Sequence, residues 1–196
     1  MKLLVFSDLH NNKSSLEKLI QKAKNVDLII CAGDISIFSA HLENIIAKFR
    51  STKKPLLIIP GNHESPNSLE KIKESFLVPL HKKIYRINKI VFVGYGTDGF
   101  SRRDKEFEEF IKKVKTRITK EDKIILITHG PPYGTRVDKL PYFGYAGNKS
   151  YRKAISFLNP ILYFCGHLHE NFNKKDKIGK TFIINPGPEG KIVHIE

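Results

Sequence analysis

Short apolar runs alternate along this chain with longer segments whose apolar residues recur at helical spacing. The runs predict strands at 2–7, 27–32, 56–60, 83–87, 90–94, 123–128, 161–165, 181–184 and 191–195. The periodic segments predict helices at 14–24, 40–50, 68–76 and 104–118, and a further helix that follows residue 148 and ends near 159. Strands that alternate with helices are typical of a layered α/β (α+β) protein.

The length of 196 residues suits one domain with a substantial core, so we expect a single domain over 1–196. None of the apolar runs approaches the roughly 20 residues of a membrane span, and the first run is too short for a signal-peptide core. The sequence therefore predicts a soluble, cytoplasmic protein without a membrane partner. Cys31 and Cys165 lie inside apolar runs, which predicts buried free thiols rather than a disulfide.

The chain carries a formal net charge of +14, which raises the question of a nucleic-acid partner. The excess is spread along the sequence, with +3 over residues 1–65, +6 over 66–128 and +5 over 129–196. A general enrichment in lysine explains this distribution at least as well as nucleic acid does. Nucleic acid is therefore a possible partner that the sequence does not favour.

Residues that commonly bind metal ions follow five of the predicted strands, at the point where each strand ends. The loops are Ser7-Asp8-Leu9-His10, Gly33-Asp34, Gly61-Asn62-His63-Glu64, Thr128-His129-Gly130 and Gly166-His167-Leu168-His169. Loops at the carboxyl ends of strands in layered α/β folds converge on one rim, and their glycines permit close backbone approach. Residues two apart in an extended segment share a face, so Asp8 and His10 can point into the same cavity, as can His167 and His169.

The donor types in these loops suit a pair of divalent ions. Imidazole nitrogens, carboxylate oxygens and an amide oxygen bind Mn, Fe, Zn, Co or Ni, among which we favour Mn. Two such ions about 3.5–4 Å apart can hold both the attacking and the leaving oxygen of a phosphate ester. Five of the eight histidines lie in these loops, and separate structural roles for each do not explain that pattern.

In this order, from residue 8 to residue 169, the motifs resemble those of the calcineurin-like metallophosphoesterase superfamily. The resemblance implies a four-layer α-β-β-α sandwich with the active site at the C-terminal rim of the strands. The implied ligands of one ion are Asp8, His10 and His169, those of the other are Asn62, His129 and His167, and Asp34 bridges the two ions. The resemblance implies a catalytic role for His63, which protonates the leaving alkoxide or steadies the phosphoryl group.

The implied reaction uses a bridging hydroxide, because the two ions lower the pKa of a water between them. Many members of the superfamily carry an Asp three residues after the bridging Asp, and that Asp pairs with the catalytic His. Ile37 occupies this position here, which leaves the partner of His63 open. Protein phosphatases of the superfamily carry an Arg where this chain has Pro60. A site with few arginines favours phosphodiesters over monoesters, and Glu64 is expected to orient its loop.

We expect the loop after His129 to determine substrate specificity. Tyr133, Arg136 and Asn148 are the candidate substrate-binding residues, since aromatic and cationic side chains there can stack a base and hold a second phosphate. A structural role, in which the aromatic residues pack the loop onto the domain, explains the same composition equally well. Asn148 opens a predicted helix, and an ordinary helix cap is the simpler interpretation of that residue.

The sequence thus predicts a metal-dependent phosphoesterase, in particular a phosphodiesterase that acts on a small phosphate-ester substrate or a nucleotide-like one. A nuclease acting on DNA or RNA is one alternative, although repair nucleases of this superfamily are usually longer and carry a capping domain. A non-catalytic metal-binding scaffold of the same fold is another alternative. Against the scaffold, every ligand position is filled and His63 is present.

Overall fold

Two β-sheets form the centre of the molecule, and helices cover their outer faces. The computed structural model describes residues 1–96 and 101–195. The strands are β1 (Lys2–Phe6), β2 (Leu28–Cys31), β3 (Leu56–Ile58), β4 (Leu77–Pro79), β5 (Lys83–Ile87), β6 (Ile90–Tyr95), β7 (Lys123–Thr128), β8 (Lys139–Leu140), β9 (Gly144–Tyr145), β10 (Leu162–Phe164), β11 (Lys175–Ile178), β12 (Thr181–Ile184) and β13 (Lys191–His194). The helices are α1 (Lys13–Ala23), α2 (Leu42–Lys48), α3 (Pro66–Glu70), α4 (Lys105–Lys115) and α5 (Lys149–Leu158), with short 3-10 helices at Phe49–Thr52 and His169–Asn171.

The strand order places parallel strands in the interior of both sheets. The first sheet has five strands in the order β13-β1-β2-β3-β4, and the second has six in the order β11-β12-β10-β7-β6-β5. Strands β1 to β4 are parallel, as are β12, β10, β7 and β6, whereas β13, β11 and β5 are antiparallel edge strands. The loops after β1, β2, β3, β7 and β10 therefore emerge at carboxyl ends of parallel strands, where ligands bind in layered α/β folds.

Three buried apolar clusters separate the layers. Alternation along β1 places Leu3 and Val5 between the two sheets and Leu4 and Phe6 against the helices. The outer clusters lie between the first sheet and α1, α2 and α3, and between the second sheet and α4 and α5. The layer order is α-β-β-α, which confirms the predicted fold class.

Most of the predicted elements are present, but the helix predicted over 68–76 is present only in part, and its predicted extent is wrong. The structure has instead a shorter helix, α3, and the strand β4 after it. The Ser65 hydroxyl caps this helix by accepting from the amide of Ser68 at 3.1 Å, and Pro66 follows at the first helical position. Pro79, which has no amide hydrogen, is tolerated because β4 is an edge strand. The short strands β8, β9 and β11 were also not predicted from the sequence.

The helices are short and amphipathic. Asn12 caps α1 by accepting from the amide of Ser15 at 2.9 Å, and Leu19 and Ala23 lie on its buried face. Within residues 1–96 and 101–195, no helix combines the length and the apolar character that a membrane crossing requires. Cys31 and Cys165 are buried and free, as the sequence predicts.

The inter-sheet core predicts where the fold is most sensitive to truncation. Ile127 on β7 is fully buried between the sheets, whereas Ile192 on edge strand β13 is 42% exposed. Ile127→Ala should reduce the free energy of unfolding by about 2–5 kcal/mol, because it removes buried methyl groups and leaves a cavity. Ile192→Ala, the matched control, should cost less than about 1 kcal/mol in the same urea titration. Equal losses in the two variants would contradict the assigned layers.

Candidate metal centre

Five loops at one rim of the two sheets bring the candidate ligands together. Asp8 and His10 follow β1, Asp34 follows β2, Asn62 and His63 follow β3, His129 follows β7, and His167 and His169 follow β10. Three groups of these side chains have their ligand atoms within 4.8 Å of one another, namely Asp8 with His10 and His169, His10 with Asp34 and His63, and Asp8 with Asp34 and His129. The groups overlap, so the loops form one continuous cluster of donors.

Asp8 connects the two sheets at this rim. Both of its carboxylate oxygens accept from the backbone amide of His167, at 3.0 and 3.2 Å. The Asp8 amide in turn donates to the carbonyl of Gly33 at 3.0 Å. A Cβ at position 166 would collide with the Asp8 carboxylate, so glycine is required there by close packing. The turns after β1 and β10 thus fix each other.

Asp34 is held by a buried carboxylate from the next loop. Glu64 accepts from the amides of Asp34 at 3.0 Å, Ser36 at 2.8 Å and Gly61 at 3.2 Å, and from the Ser36 hydroxyl at 2.6 Å. Glu64 therefore ties the loop after β2 to the loop after β3, which is the orienting role expected from the sequence. The Oδ1 atom of Asp34 accepts from the amide of His63 at 2.9 Å, while Oδ2 lies among the imidazoles.

One set of donors lies on the His129 side of Asp34. Asp34 Oδ2 is 3.3 Å from His129 Nε2. Asn62 Oδ1 is 3.0 Å from the same nitrogen and 3.1 Å from His167 Nδ1. His129 Nδ1 is 2.9 Å from the Ala32 carbonyl, and a donor bond to that carbonyl leaves Nε2 as the ligand atom.

A second set lies on the other side of Asp34. His10 Nε2 is 3.7 Å from Asp34 Oδ2 and 3.2 Å from His169 Nε2. His169 Nε2 is 3.6 Å from Asp8 Oδ1. Asp8, His10 and Asp34 all have positive φ, at 55°, 46° and 54°. Non-glycine residues adopt this conformation at an energetic cost, and such residues concentrate at functional sites.

The buried carboxylates and imidazoles shift one another's protonation. Burial alone would raise the pKa of Asp8 and of Asp34. The hydrogen bond from His169 and the charge of His129 for Asp8, and the hydrogen bond and charge of His129 for Asp34, act together with weaker contacts to lower both pKa values. Burial would lower the pKa of His129, but the hydrogen bond and charge of Asp34 raise it to about 9. Burial, followed by the charge of His129, lowers the pKa of His167 to about 4.

The donor set fits divalent metal ions. Four imidazoles, two carboxylates and one amide oxygen are the combination that borderline ions from Mn to Zn prefer. Within the described residues, the groups of converging ligand atoms include no thiol, and the thiol of Cys31 instead faces the Gly33 carbonyl at 3.8 Å. The Nε2 atoms of His10 and His169 are 3.2 Å apart, so they need either a shared proton or a cation between them. A metal ion bound by both nitrogens meets this need.

His63 lies at the edge of the donor cluster. Its Nε2 is 4.0 Å from Asp34 Oδ2, and its ring meets the His10 ring edge-on at a centroid distance of 4.9 Å. Its Nδ1 accepts from the backbone amide of Phe38 at 3.2 Å, and the Phe38 ring packs against it at 4.5 Å. The partner of His63, which the sequence left open, is therefore the backbone amide of Phe38, the residue after Ile37.

The three candidate substrate-binding residues lie in or at the end of the loop after β7, over 130–148. The Nζ atom of Lys149 lies 5.1 Å from the centre of the Tyr133 ring, and the Cζ atom of Arg102 lies 5.8 Å from it. The three side chains form a cationic and aromatic cluster. Arg136 donates its amide to Asp176 at 2.7 Å. Asn148 caps α5 by accepting from two amides, and its Nδ2 donates to Ser101. Substrate contacts of all three residues stay predictions.

A buried carboxylate that sequence reasoning missed shapes this loop. Asp138 accepts from the amides of Gly134 at 3.0 Å, Thr135 at 2.6 Å and Gly147 at 2.9 Å. The Val137 carbonyl accepts from Asn171 at 2.9 Å, which joins the loop to the 3-10 helix that begins at His169. The Thr135-x-x-Asp138 spacing within a polar loop was the available signal, because Thr and Asp at such spacing often form local turns.

Comparison with known proteins agrees with this geometry. The calcineurin-like phosphoesterase family model matches residues 1–171. The chain belongs to the calcineurin-like phosphoesterase family. An uncharacterized protein of Methanocaldococcus jannaschii is 32% identical over 205 residues, covering 99% of this chain and 91% of that protein. As a member of this family, the phosphoesterase is a hydrolase that acts on phosphate esters, and divalent metal ions belong to the family's chemistry.

Solved structures share the fold of this phosphoesterase at low sequence identity. The structure of TT1561 of Thermus thermophilus aligns with a TM-score of 0.77 at 15% identity, covering 96% of this chain and 90% of that one. A dimetal phosphatase from Danio rerio aligns with a TM-score of 0.66 at 11% identity, covering 94% and 86%. At these low sequence identities, the structural similarity establishes the fold of this chain and nothing further.

Close backbone packing predicts that Gly61 controls metal affinity. A Cβ at this position would collide with Asp34 Oδ1. Gly61→Ala should displace the Asp34 carboxylate and weaken divalent-ion binding by about 10- to 100-fold, measured by calorimetric titration of metal-free protein. Gly179→Ala is the control, because the added Cβ meets no atom within 4 Å; its φ of 56° costs some stability with alanine, but the folded variant should retain the affinity. Unchanged affinity in Gly61→Ala would show that Asp34 does not bind the ions.

The raised pKa of His129 predicts proton release on metal binding. With a pKa of about 9, His129 is protonated at pH 7 in the metal-free phosphoesterase, and an ion at Nε2 must displace that proton. His167, with a pKa of about 4, is already neutral there and releases none. Apparent affinity should therefore increase as pH rises from about 7 towards 9, by up to about tenfold per unit. Calorimetry in buffers of different ionisation enthalpy should detect roughly one released proton; a pH-independent affinity would contradict this prediction.

Proposed function

We propose that this phosphoesterase holds two divalent ions and hydrolyses phosphodiesters of a small or nucleotide-like substrate. The position of Asp34 carries the proposal. Its Oδ2 lies 3.3 Å from His129 Nε2 and 3.7 Å from His10 Nε2, and these two imidazoles belong to different groups of converging ligand atoms. A carboxylate that two such groups share is suited to bridge two ions about 3.5–4 Å apart.

The proposed ligand roles follow the two donor sets. One ion takes Asp8, His10 and His169, the other takes Asn62, His129 and His167, and Asp34 bridges them. The contacts that support this division are those of Asn62 Oδ1 with His129 and His167, and of Asp8 with His169. Two carboxylates against two divalent ions leave a net charge of +2 at the centre. That charge suits an anionic phosphoryl group and the further charge that develops during its transfer.

The ions would supply Lewis-acid charge and an activated water as the nucleophile. The protein's own residues would hold the donors rigid, so that little reorganisation accompanies the reaction. Glu64 and the glycine turns fix Asp34, and the amide of His167 fixes Asp8. His63 lies at the edge of the cluster, with Nε2 4.0 Å from Asp34 Oδ2, and would contact the substrate phosphate from there.

Arginine placement favours diesters. Arg50 and Arg86 form ion pairs with Glu74 and Asp122, and Arg152 donates to the carbonyls of Tyr133 and Gly134. These engagements direct three of the seven guanidinium groups to partners other than a phosphate at the metal centre. None of the five segments that carry the candidate ligands, at 7–10, 33–34, 61–64, 128–130 and 166–169, contains an arginine. A phosphomonoester dianion profits more from bidentate arginine contacts than a diester monoanion does. Manganese as the bound metal and a cytoplasmic location stay predictions from the sequence.

Hydrolysis assays with metal-stripped protein test the proposal. Reloading with Mn, Fe, Zn, Co or Ni should restore turnover of bis-(p-nitrophenyl) phosphate, which should exceed turnover of p-nitrophenyl phosphate. Asp34→Asn should lower kcat by at least about 100-fold, because the bridging charge is lost. Asp27→Asn, at the opposite end of β2, is the matched control and should be active.

Two outcomes of the same assays would favour the alternatives. Turnover that occurs with polymeric DNA or RNA, and binding that falls steeply with salt concentration, would favour a nuclease that uses the charge of +14. Two bound ions per chain without turnover of any ester would favour a metal-binding scaffold.

A further inference from the structure

The turn after β2 presents three successive backbone amides to side chains from two other loops, those after β1 and β3. The Ser36 amide donates to Glu64 Oε1 at 2.8 Å, and the Ile37 amide donates to Asn11 Oδ1 at 3.2 Å. The Phe38 amide donates to His63 Nδ1 at 3.2 Å. The first two bonds anchor the turn, so the position of the third donor is fixed relative to the metal centre.

The bond between Phe38 and His63 has a defined direction. A backbone amide can only donate, so Nδ1 of His63 must accept and carries no proton. The proton of the neutral imidazole is then on Nε2, the nitrogen that lies 4.0 Å from Asp34 Oδ2. A carboxylate partner would select the opposite tautomer, because a carboxylate accepts from Nδ1–H.

The side chain of Phe38 is unusual in two respects. It is 79% exposed, yet its ring packs against the His63 ring with centroids 4.5 Å apart. Phe38 and the following Ser39 both have positive φ, at 48° and 60°. A bulky residue in the left-handed region is a conformational outlier, and glycine would adopt the same φ without strain. Neither burial nor backbone preference explains a phenylalanine here, whereas contact with His63 does.

We propose that Phe38 is the positioning residue of His63, and that His63 steadies a phosphoryl oxygen through Nε2–H instead of protonating the leaving group. The amide of Phe38 selects the tautomer, and its ring restricts the imidazole. A neutral imidazole that has its one proton on Nε2 donates a hydrogen bond from that atom, and it is a far weaker acid than an imidazolium, which makes it a poor proton donor to the leaving group. This inference deepens the proposed function and rests on it for the role of His63.

Nuclear magnetic resonance of the metal-free protein tests the tautomer without any assay of activity. In protein labelled with nitrogen-15, His63 should show the Nε2–H tautomer at neutral pH. A coupling across the hydrogen bond should connect its Nδ1 with the amide nitrogen of Phe38. An Nδ1–H tautomer, or no such coupling, would overturn the proposal even if the protein hydrolyses phosphodiesters.

Variants of Phe38 test its positioning role. Phe38→Gly keeps the amide, suits the positive φ and removes only the ring. We expect a melting temperature no lower than that of the wild type, with kcat lower by about 10-fold or more and KM little changed. Phe38→Tyr should restore kcat, and Ile37→Ala, which removes the neighbouring exposed apolar side chain, should leave kcat unchanged. Full activity in Phe38→Gly would overturn the positioning role.

Aryl phosphodiesters whose leaving groups differ in acidity distinguish the two roles of His63. If His63 contacts a phosphoryl oxygen, His63→Ala should lower kcat by about the same factor, of order 100-fold, across the series. A loss that increases with the pKa of the leaving group would show that His63 protonates it, and the proposal would be wrong. Absence of metal-dependent turnover in the wild type would instead refute the proposed function, and the resonance experiment would still decide whether Phe38 holds His63.

Discussion

The burial of two carboxylates, Asp8 and Asp34, is the constraint on which this site depends. Both side chains are almost inaccessible to solvent, and unpaired buried charge is costly. Burial alone would raise both pKa values, but the imidazoles of His169, His129 and His10 and nearby hydrogen bonds together lower them, which keeps the carboxylates ionised in the metal-free protein. Without those two charges the cluster would be a set of mutually repelling nitrogen donors. With them, it is a preformed anionic site for divalent cations.

The scaffold keeps this arrangement rigid because backbone groups of neighbouring loops pack directly against the candidate ligand side chains. Asp8 accepts from the amide of His167 across the two sheets, and Glu64 accepts from amides of two adjacent loops. Glycines at 61 and 166 are required because a side chain would occupy the space of a carboxylate. Several of the candidate ligands adopt left-handed conformations whose cost the well-packed sheets offset. A rigid donor set of this kind reduces the reorganisation that phosphoryl transfer would otherwise need.

Apolar runs and strand-end metal-binding residues are local patterns, so they predicted a layered α/β protein and the loops that form the candidate site. The α-β-β-α order was implied by the family resemblance. Sequence reasoning did not identify β4, because a three-residue edge strand is too short to show an alternating pattern. The short helix α3 before it also made the segment look helical. Sequence reasoning could not find Phe38, because its role depends on a positive φ and on one backbone amide that no side-chain pattern reveals. Asp138 was missed for a related reason, as its hydrogen-bond donors include backbone amides from both ends of the loop segment 134–147.

The central claim is that Asp34 bridges two divalent ions held by the loops after five parallel strands. Metal analysis combined with electron paramagnetic resonance of the Mn(II)-loaded protein measures this most directly, because ions about 3.5–4 Å apart are magnetically coupled. We expect two Mn(II) ions per chain with a coupled spectrum, and loss of the coupling in Asp34→Asn. One ion per chain, or two ions with an uncoupled spectrum in the wild-type protein, would contradict the claim.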